Sequence, residues 1–309
     1  MKDRTSAYAR LVVSGKRLAG KTEYLACKRH LDDLKRSKGK DYKYRFDVEA
    51  AEKAIDLANE LTILEGTQIK KLTTRGFQNF IIGSLNGWKI KRKGHNRFRE
   101  AYIQIGRQNG KSFLSGTEAN NKASFYNYQQ GKIYCVATKK DQAKIVWNEV
   151  KKFILADQEL AELYVTKEHL ATIISKVTGT EIVALSGETK SADGFRSILA
   201  IVDEYHAHRN NGMYNLMLDG QIFVDSALTL AITTAGFNLN GPCYKQYKFS
   251  KKVLERAISK ESLFVYITEM DEEDDPFDYK NWPKANPFNL WLFPLQYPIS
   301  ISKPPNPFP

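Results

Sequence analysis

The chain has 309 residues, of which 42% are hydrophobic, with a formal net charge of +12 and a pI near 9.3. That length allows one large domain or two smaller ones, and the sequence has no apolar run near the roughly 20 residues of a membrane helix, so a cytoplasmic protein without membrane contact is expected. Cys27, Cys135 and Cys243 stand far apart without metal-ligand spacing, which argues against a disulfide framework, while the basic excess favours a polyanionic partner such as nucleic acid.

In chain order, residues 1–66 read as helical. Apolar residues recur at helical spacing from Leu18 to Leu34 and again from Asp47 to Leu64, with Asp47 as N-cap and Gly66 as the stop. His30 lies near Cys27 but has no further ligands beside it, and reads as structural. Lys35–Lys40 and Lys89–Arg97 are basic clusters. Between Leu72 and Trp88 the spacing is again helical, and it carries Gln78, whose carboxamide offers a donor and an acceptor to an adenine edge.

Strands and helices then alternate. Strands are expected at 101–105, 132–138, 181–185, 197–202, 228–232 and 261–267. Helices are expected after residue 112 to about Tyr128, from Asp141 (as N-cap) to Leu155, over 213–221 and over 241–260. Prolines crowd the stretch from Pro276 onward and oppose regular structure there. The alternation implies an α/β fold with a parallel sheet flanked by helices. It divides the chain into a helical N-terminal segment (1–66), a core (67–240) and a segment ending in an irregular tail (241–309).

Two stretches carry the chemistry. Gly106-Arg107-Gln108-Asn109-Gly110-Lys111-Ser112 follows a strand and opens a helix. Loop amides and the helix N-terminus suit phosphate, Lys111 would reach the β/γ-phosphates, and the Ser112 hydroxyl would ligate Mg²⁺. The spacing departs from G-x-x-x-x-G-K-[ST], because Ile105 stands where the first glycine belongs. The second stretch is the apolar run 197–202, which ends in Asp203-Glu204. One acid would hold Mg²⁺ and the other would orient the attacking water. Both motifs in order, each after its own strand, imply a P-loop NTPase (RecA/ASCE-like) sheet, an ATP-type nucleotide and Mg²⁺.

The set of motifs resembles the ATPase part of the large terminase subunit of tailed bacteriophages, the motor that packages DNA. Thr5, Tyr8-Ala9 and Ala26 to Leu34 resemble that family's opening, Phe77-Gln78 with Gly87-Trp88 its adenine segment, and Gly106 to Ser112 its phosphate loop. Asp203-Glu204-Tyr205-His206 resembles its acidic motif, and Thr233-Thr234-Ala235-Gly236 its coupling motif. Asp275-Pro276, Trp282 and Ala285-Asn286-Pro287 resemble the approach to its nuclease domain.

The resemblance implies that Gln78 reads the base and that Gly106, Arg107, Gln108, Asn109, Gly110, Lys111 and Ser112 hold the nucleotide. Ser112 and Asp203 would hold Mg²⁺, with Glu204, Lys111 and Arg107 catalytic. Thr233, Thr234 and Gly236 would couple hydrolysis to movement, while His206 and His208 either join that coupling or are satisfied polar residues. It also implies double-stranded DNA, a small terminase subunit, the portal protein of the procapsid and a homo-oligomeric ring, in the host cytoplasm. No nuclease centre is expected in this chain. It stops about twenty residues after the Trp282 to Pro287 region, as a split or frameshifted reading frame would, and Asp271 to Asp275 reads as a solvated acidic linker. The competing readings are a superfamily 2 DExH-type helicase and an inactive DNA-binding remnant.

Overall fold

The computed structural model describes residues 2–65, 67–126, 128–186 and 196–288. Helix α1 (Arg4–Val13) is capped by Asp3, whose carboxylate accepts the Ser6 N–H, and buries Tyr8, Ala9 and Val12 on one face. Helix α2 (Lys21–Arg36) follows, then strand β1 (Tyr44–Phe46) and α3 (Val48–Glu60). Asp47 caps α3 as the sequence predicts, accepting from Ala50 N at 3.1 Å. The helix stops at Glu60 rather than Leu64. There the β-branched pair Thr62-Ile63 opens strand β2 (Thr62–Glu65), which pairs antiparallel with β3 (Gln68–Lys71). The proposed stop at Gly66 lies outside the described residues. Helix α4 (Gly76–Gly87) and strand β4 (Trp88–Ile90) complete this part, and β4 pairs antiparallel with β1.

The core sheet is built from β5 (Glu100–Gln104), β6 (Lys132–Ala137), β7 (Tyr164–Lys167), β8 (Thr172–Ser175), β9 (Glu181–Ser186), β10 (Leu199–Asp203), β11 (Leu228–Thr233) and β12 (Leu263–Ile267). Its order is β12-β5-β11-β10-β6-β9-β8-β7. The first six run parallel, and β8 and β7 continue antiparallel. Strands β10, β11 and β12 are buried along their whole length, as near-continuous apolar runs require when helices cover both faces. Strands β7 and β8 had no signal in the sequence, because four residues each are too few to establish a period.

Helix α5 (Lys111–Asn120) passes into a π-helical turn at Asn121–Phe125, so the helix after the loop ends sooner than Tyr128. Helix α6 (Lys140–Ala156) begins one residue before Asp141. Asp141 is therefore not its N-cap but a first-turn acid, favourably placed in the helix dipole. Then come α7 (Gln158–Glu162), α8 (Gly212–Gly220), α9 (Pro242–Leu254) and α10 (Trp282–Ala285). Helix α9 stops short of Lys260. Helix α10 is a single turn within the proline-rich stretch, with Pro283 at its start, where no N–H is needed.

Strands β1 and β2 fall within the segment read as helical, and β12, in the segment read as following the core, pairs with β5 inside the core sheet. One hydrophobic core runs from Tyr8 and Cys27 through the sheet to Val265 and Ile267. His30 belongs to it as a structural residue. Its Nδ1 accepts from Trp88 Nε1 at 3.0 Å, its Nε2 meets Ser6 Oγ at 2.9 Å, and burial pushes its pKa down to about 4. No helix among the described residues is long and apolar enough to cross a membrane.

Candidate functional site

The site is assembled at the carboxyl ends of β5, β11 and β10. Strand β11 lies between the other two, so the strand feeding the glycine loop and the strand carrying the acids stand two spacings apart, about 10 Å. Register fixes the levels: Thr233 pairs with Gln104, and Asp203 with Ile232. Ile105 N donates to Thr233 O at 3.1 Å, tying the loop's first residue to the end of β11.

Within the loop, Gly110 caps α5 at φ +75°, a left-handed conformation that favours glycine. A Cβ there would also lie 2.8 Å from Gln78 Nε2. Gln108 is left-handed too, at φ +59°. Arg107 and Gln108 are exposed at the loop tip, whereas Asn109 is fully buried. Lys111 Nζ lies 3.4 Å from the carbonyl oxygens of both Ile105 and Gly106. Burial lowers the Lys111 pKa, against the opposing pull of Glu204 and Asp203. Ser112 follows in the first turn of α5, half-buried.

Asp203, at the end of β10, is buried. Burial first, and then the neighbouring Glu204 charge, push its carboxyl up to about 6. Glu204 takes the left-handed conformation, φ 45° and ψ 47°, an uncommon choice for a non-glycine residue that turns the chain off the strand. His206 then folds back. Its Nδ1 sits 3.1 Å from Glu204 Oε2, 3.0 Å from Thr233 Oγ1 and 3.4 Å from Thr234 Oγ1. Thr233 Oγ1 already donates to Thr234 O and accepts the His206 N–H. An N–H on Nδ1 would have the Thr233 hydroxyl as acceptor, with the Glu204 carboxylate beside it. The His206 hydrogen bond is the main reason the Glu204 carboxyl sits below its usual range, with Lys111 and Arg107 adding to the effect against burial. Gly236 packs on the His206 side chain.

The other sequence candidates separate. His208 is a satisfied buried residue, its Nε2 3.2 Å from the Asp203 carbonyl. Gln78 is buried, with its Oε1 accepting the Arg75 N–H at 2.8 Å as part of the α4 cap and its Nε2 turned toward Gly110. It thus touches the loop from behind. Asp271 and Asp274 both pair with Lys284, at 2.8 and 2.7 Å.

One contact had no sequence signal. Asn109 Nδ2 donates to Asn286 Oδ1 at 3.1 Å, and Asn109 Oδ1 accepts the Phe288 N–H at 3.0 Å. Gly106 is crowded by the same segment: a Cβ there would lie 2.8 Å from Asn286 Oδ1. No periodicity connects residues 177 positions apart.

A strand–glycine loop–helix unit, an acid pair one strand removed and a hydroxyl pair on the strand between define a P-loop NTPase-type α/β fold. Residues 76–252, more than half of the chain, match the model of the terminase large subunit, ATPase domain, and the chain belongs to that family. This membership decides the Asp203-Glu204-Tyr205-His206 motif in favour of a terminase over a helicase. The chain is similar in structure to the HK97 bacteriophage large terminase, with a TM-score of 0.65 at 22% identity over 77% of this chain and 47% of that one. It is 39% identical over 98 residues to protein YmfN of Escherichia coli (strain K12), covering 32% of this chain and 22% of that protein. The large terminase of a thermophilic bacteriophage, in complex with ADP, overlaps more loosely, with a TM-score of 0.41 at 12% identity over 54% of this chain and 39% of that one. The chain spans about half the length of the HK97 protein and less than a quarter of YmfN.

Proposed function

We propose that this chain hydrolyses ATP and uses the energy to drive double-stranded DNA into a procapsid, as the motor part of a phage-type terminase. The observation that carries the reading is the contact chain Glu204–His206–Thr233/Thr234, which lies beside Lys111 and Asp203 and joins the candidate hydrolytic acid to the end of the neighbouring strand. In this reading the loop amides and the α5 N-terminus cradle the phosphates, and the Lys111 ammonium neutralises them. Arg107, exposed at the loop tip, adds positive charge near the terminal phosphate. Glu204, held ionised by His206, orients the attacking water.

Ser112 and Asp203 fit a divalent cation. A carboxylate kept buried beside a second carboxylate is relieved by a nearby positive charge, and Mg²⁺ would offset charge developing on the phosphates. When the phosphates change, His206 transmits the displacement of Glu204 to Thr233 and Thr234, and the loop at Gly236 moves with it.

Portal protein, small terminase subunit and a homo-oligomeric ring in the host cytoplasm belong to the same proposal, as does the absence of DNA cleavage by this chain. That last point is supported by the pairing of Asp271 and Asp274 with one lysine. The test is ATP turnover and DNA packaging by the purified chain with procapsids. Lys111→Ala should abolish both, and turnover at the wild-type rate in that variant would refute the assignment.

A further inference from the structure

The two basic clusters seen in the sequence meet on one surface. Lys91 Nζ donates to the Gly39 carbonyl at 2.7 Å across 52 positions of chain, and Lys91 N donates to Lys43 O at 2.9 Å. The β1–β4 ladder, with Tyr44 opposite Ile90, locks the two turns side by side. Several cations of these stretches are committed internally. Arg97 is fully buried on Asp33 and Glu261, Arg36 pairs with Asp33, Arg45 with Asp47, and Lys89 with Asn96. What remains outward is Lys35, Lys38, Lys40, Lys43, Arg92 and Lys93, all exposed. Among the described residues none of the six makes an ion pair; the exposed acids beside them include Asp41 and Asp225, the latter paired with His95 at 3.1 Å.

The patch lies at the amino ends of the strands. Asn96 N donates to Ser226 Oγ, just ahead of β11, and β4 leads toward the start of β5. The phosphate loop is at the other end of β5, about 17 Å away for a five-residue strand. Among the described residues the patch exposes no large apolar side chain. A protein partner is gripped through aromatic and apolar anchors, whereas a nucleic-acid backbone needs only clustered cations.

We propose that this surface holds the phosphate backbone of double-stranded DNA, without regard to sequence, at the end of the sheet opposite the nucleotide. The inference rests on the DNA-motor reading above. Its test is binding of a short fluorescent duplex of random sequence across a salt series. The proteins compared are the full chain, a Lys38→Ala/Lys40→Ala/Arg92→Ala/Lys93→Ala variant, and a charge-matched control carrying Lys245→Ala/Lys248→Ala/Lys252→Ala/Lys280→Ala.

If all four patch cations face phosphates, the log–log salt slope of the patch variant should be shallower by up to about 3.6, while the control stays within one unit. Basal ATP turnover without DNA should be unchanged in both, which also shows that both fold. Equal losses in the two variants would mean that overall charge alone is responsible, and a loss confined to the control would put the DNA elsewhere; either result overturns the assignment. So would normal DNA binding by the patch variant together with lost capture of purified portal protein, which would make the surface a protein contact. If the unaltered chain hydrolyses ATP but binds no duplex even at low salt, the DNA-motor reading itself fails and the patch assignment falls with it.

Discussion

Replacing Asp203 by asparagine should make the nucleotide-free protein more stable while destroying its proposed function. The Asp203 carboxyl titrates near 6 in the folded chain, against an ordinary value of 3.8. Because the folded value is raised, the native state holds its proton more tightly than the unfolded chain does. This favours the native state below pH 3.8, and the advantage is lost as pH rises through 6. Above that pH the carboxylate is charged in both states, and the native state bears a penalty of about 3 kcal/mol, roughly half of it already present at pH 5.

Asparagine keeps the shape and the acceptor oxygen without the charge. Urea denaturation without Mg²⁺ should therefore find Asp203→Asn more stable by up to about 3 kcal/mol at pH 8, with the gap roughly halved at pH 5. Mg²⁺ with nucleotide should raise the wild-type midpoint and leave the variant's unmoved. A variant no more stable than wild type at pH 8, or a gap independent of pH, would refute the claim that this carboxylate is held buried and charged against its preference.

Four further outcomes are expected. Glu204→Gln should bind nucleotide normally in an equilibrium assay and fail to turn it over; wild-type turnover would mean that another group orients the water. His206→Ala should lower kcat roughly 10²-fold, the scale of a misplaced catalytic group, with nucleotide Kd unchanged and partial rescue by His206→Asn. Gly110→Ala should cost at least about 1 kcal/mol in denaturation, because the left-handed φ and the Gln78 amide both oppose a Cβ. Incubation of the purified chain with supercoiled plasmid and Mg²⁺ or Mn²⁺ should leave the plasmid uncut; nicking that disappears on joint mutation of Asp271, Asp274 and Asp275 would reverse that expectation.

The parallel strands were legible because most are buried apolar runs, and β10 and β11 end in chemically distinctive residues. The loop at 106–112 was legible because a glycine, a lysine and a serine follow a strand in the order a phosphate demands. What the sequence could not reveal were relations between distant residues. The Asn109–Asn286 bond depends on the path of the whole chain. The division of the basic clusters into an inward Arg97 and an outward Arg92 depends on which side of a turn each falls. His206 was visible as a candidate, but its three-way contact follows from the left-handed turn at Glu204, and an acidic residue is not where one looks for such a turn. The strands β1, β2, β3, β4, β7 and β8 escaped because short ladders are decided by their partners.

The amide of Asn109 has a consequence for how the molecule is wired. One end of that side chain is held by Asn286 and the other by the backbone of Phe288, so the glycine loop and the chain leaving the core share one fastening. Arg17 reaches the Pro287 carbonyl and Arg75 lies over the Phe288 ring, which fastens the same few residues to α4 and to the turn after α1. If a bound nucleotide displaces the loop, as the proposed reading has it, Asn109 would carry that displacement directly to Asn286 and Phe288.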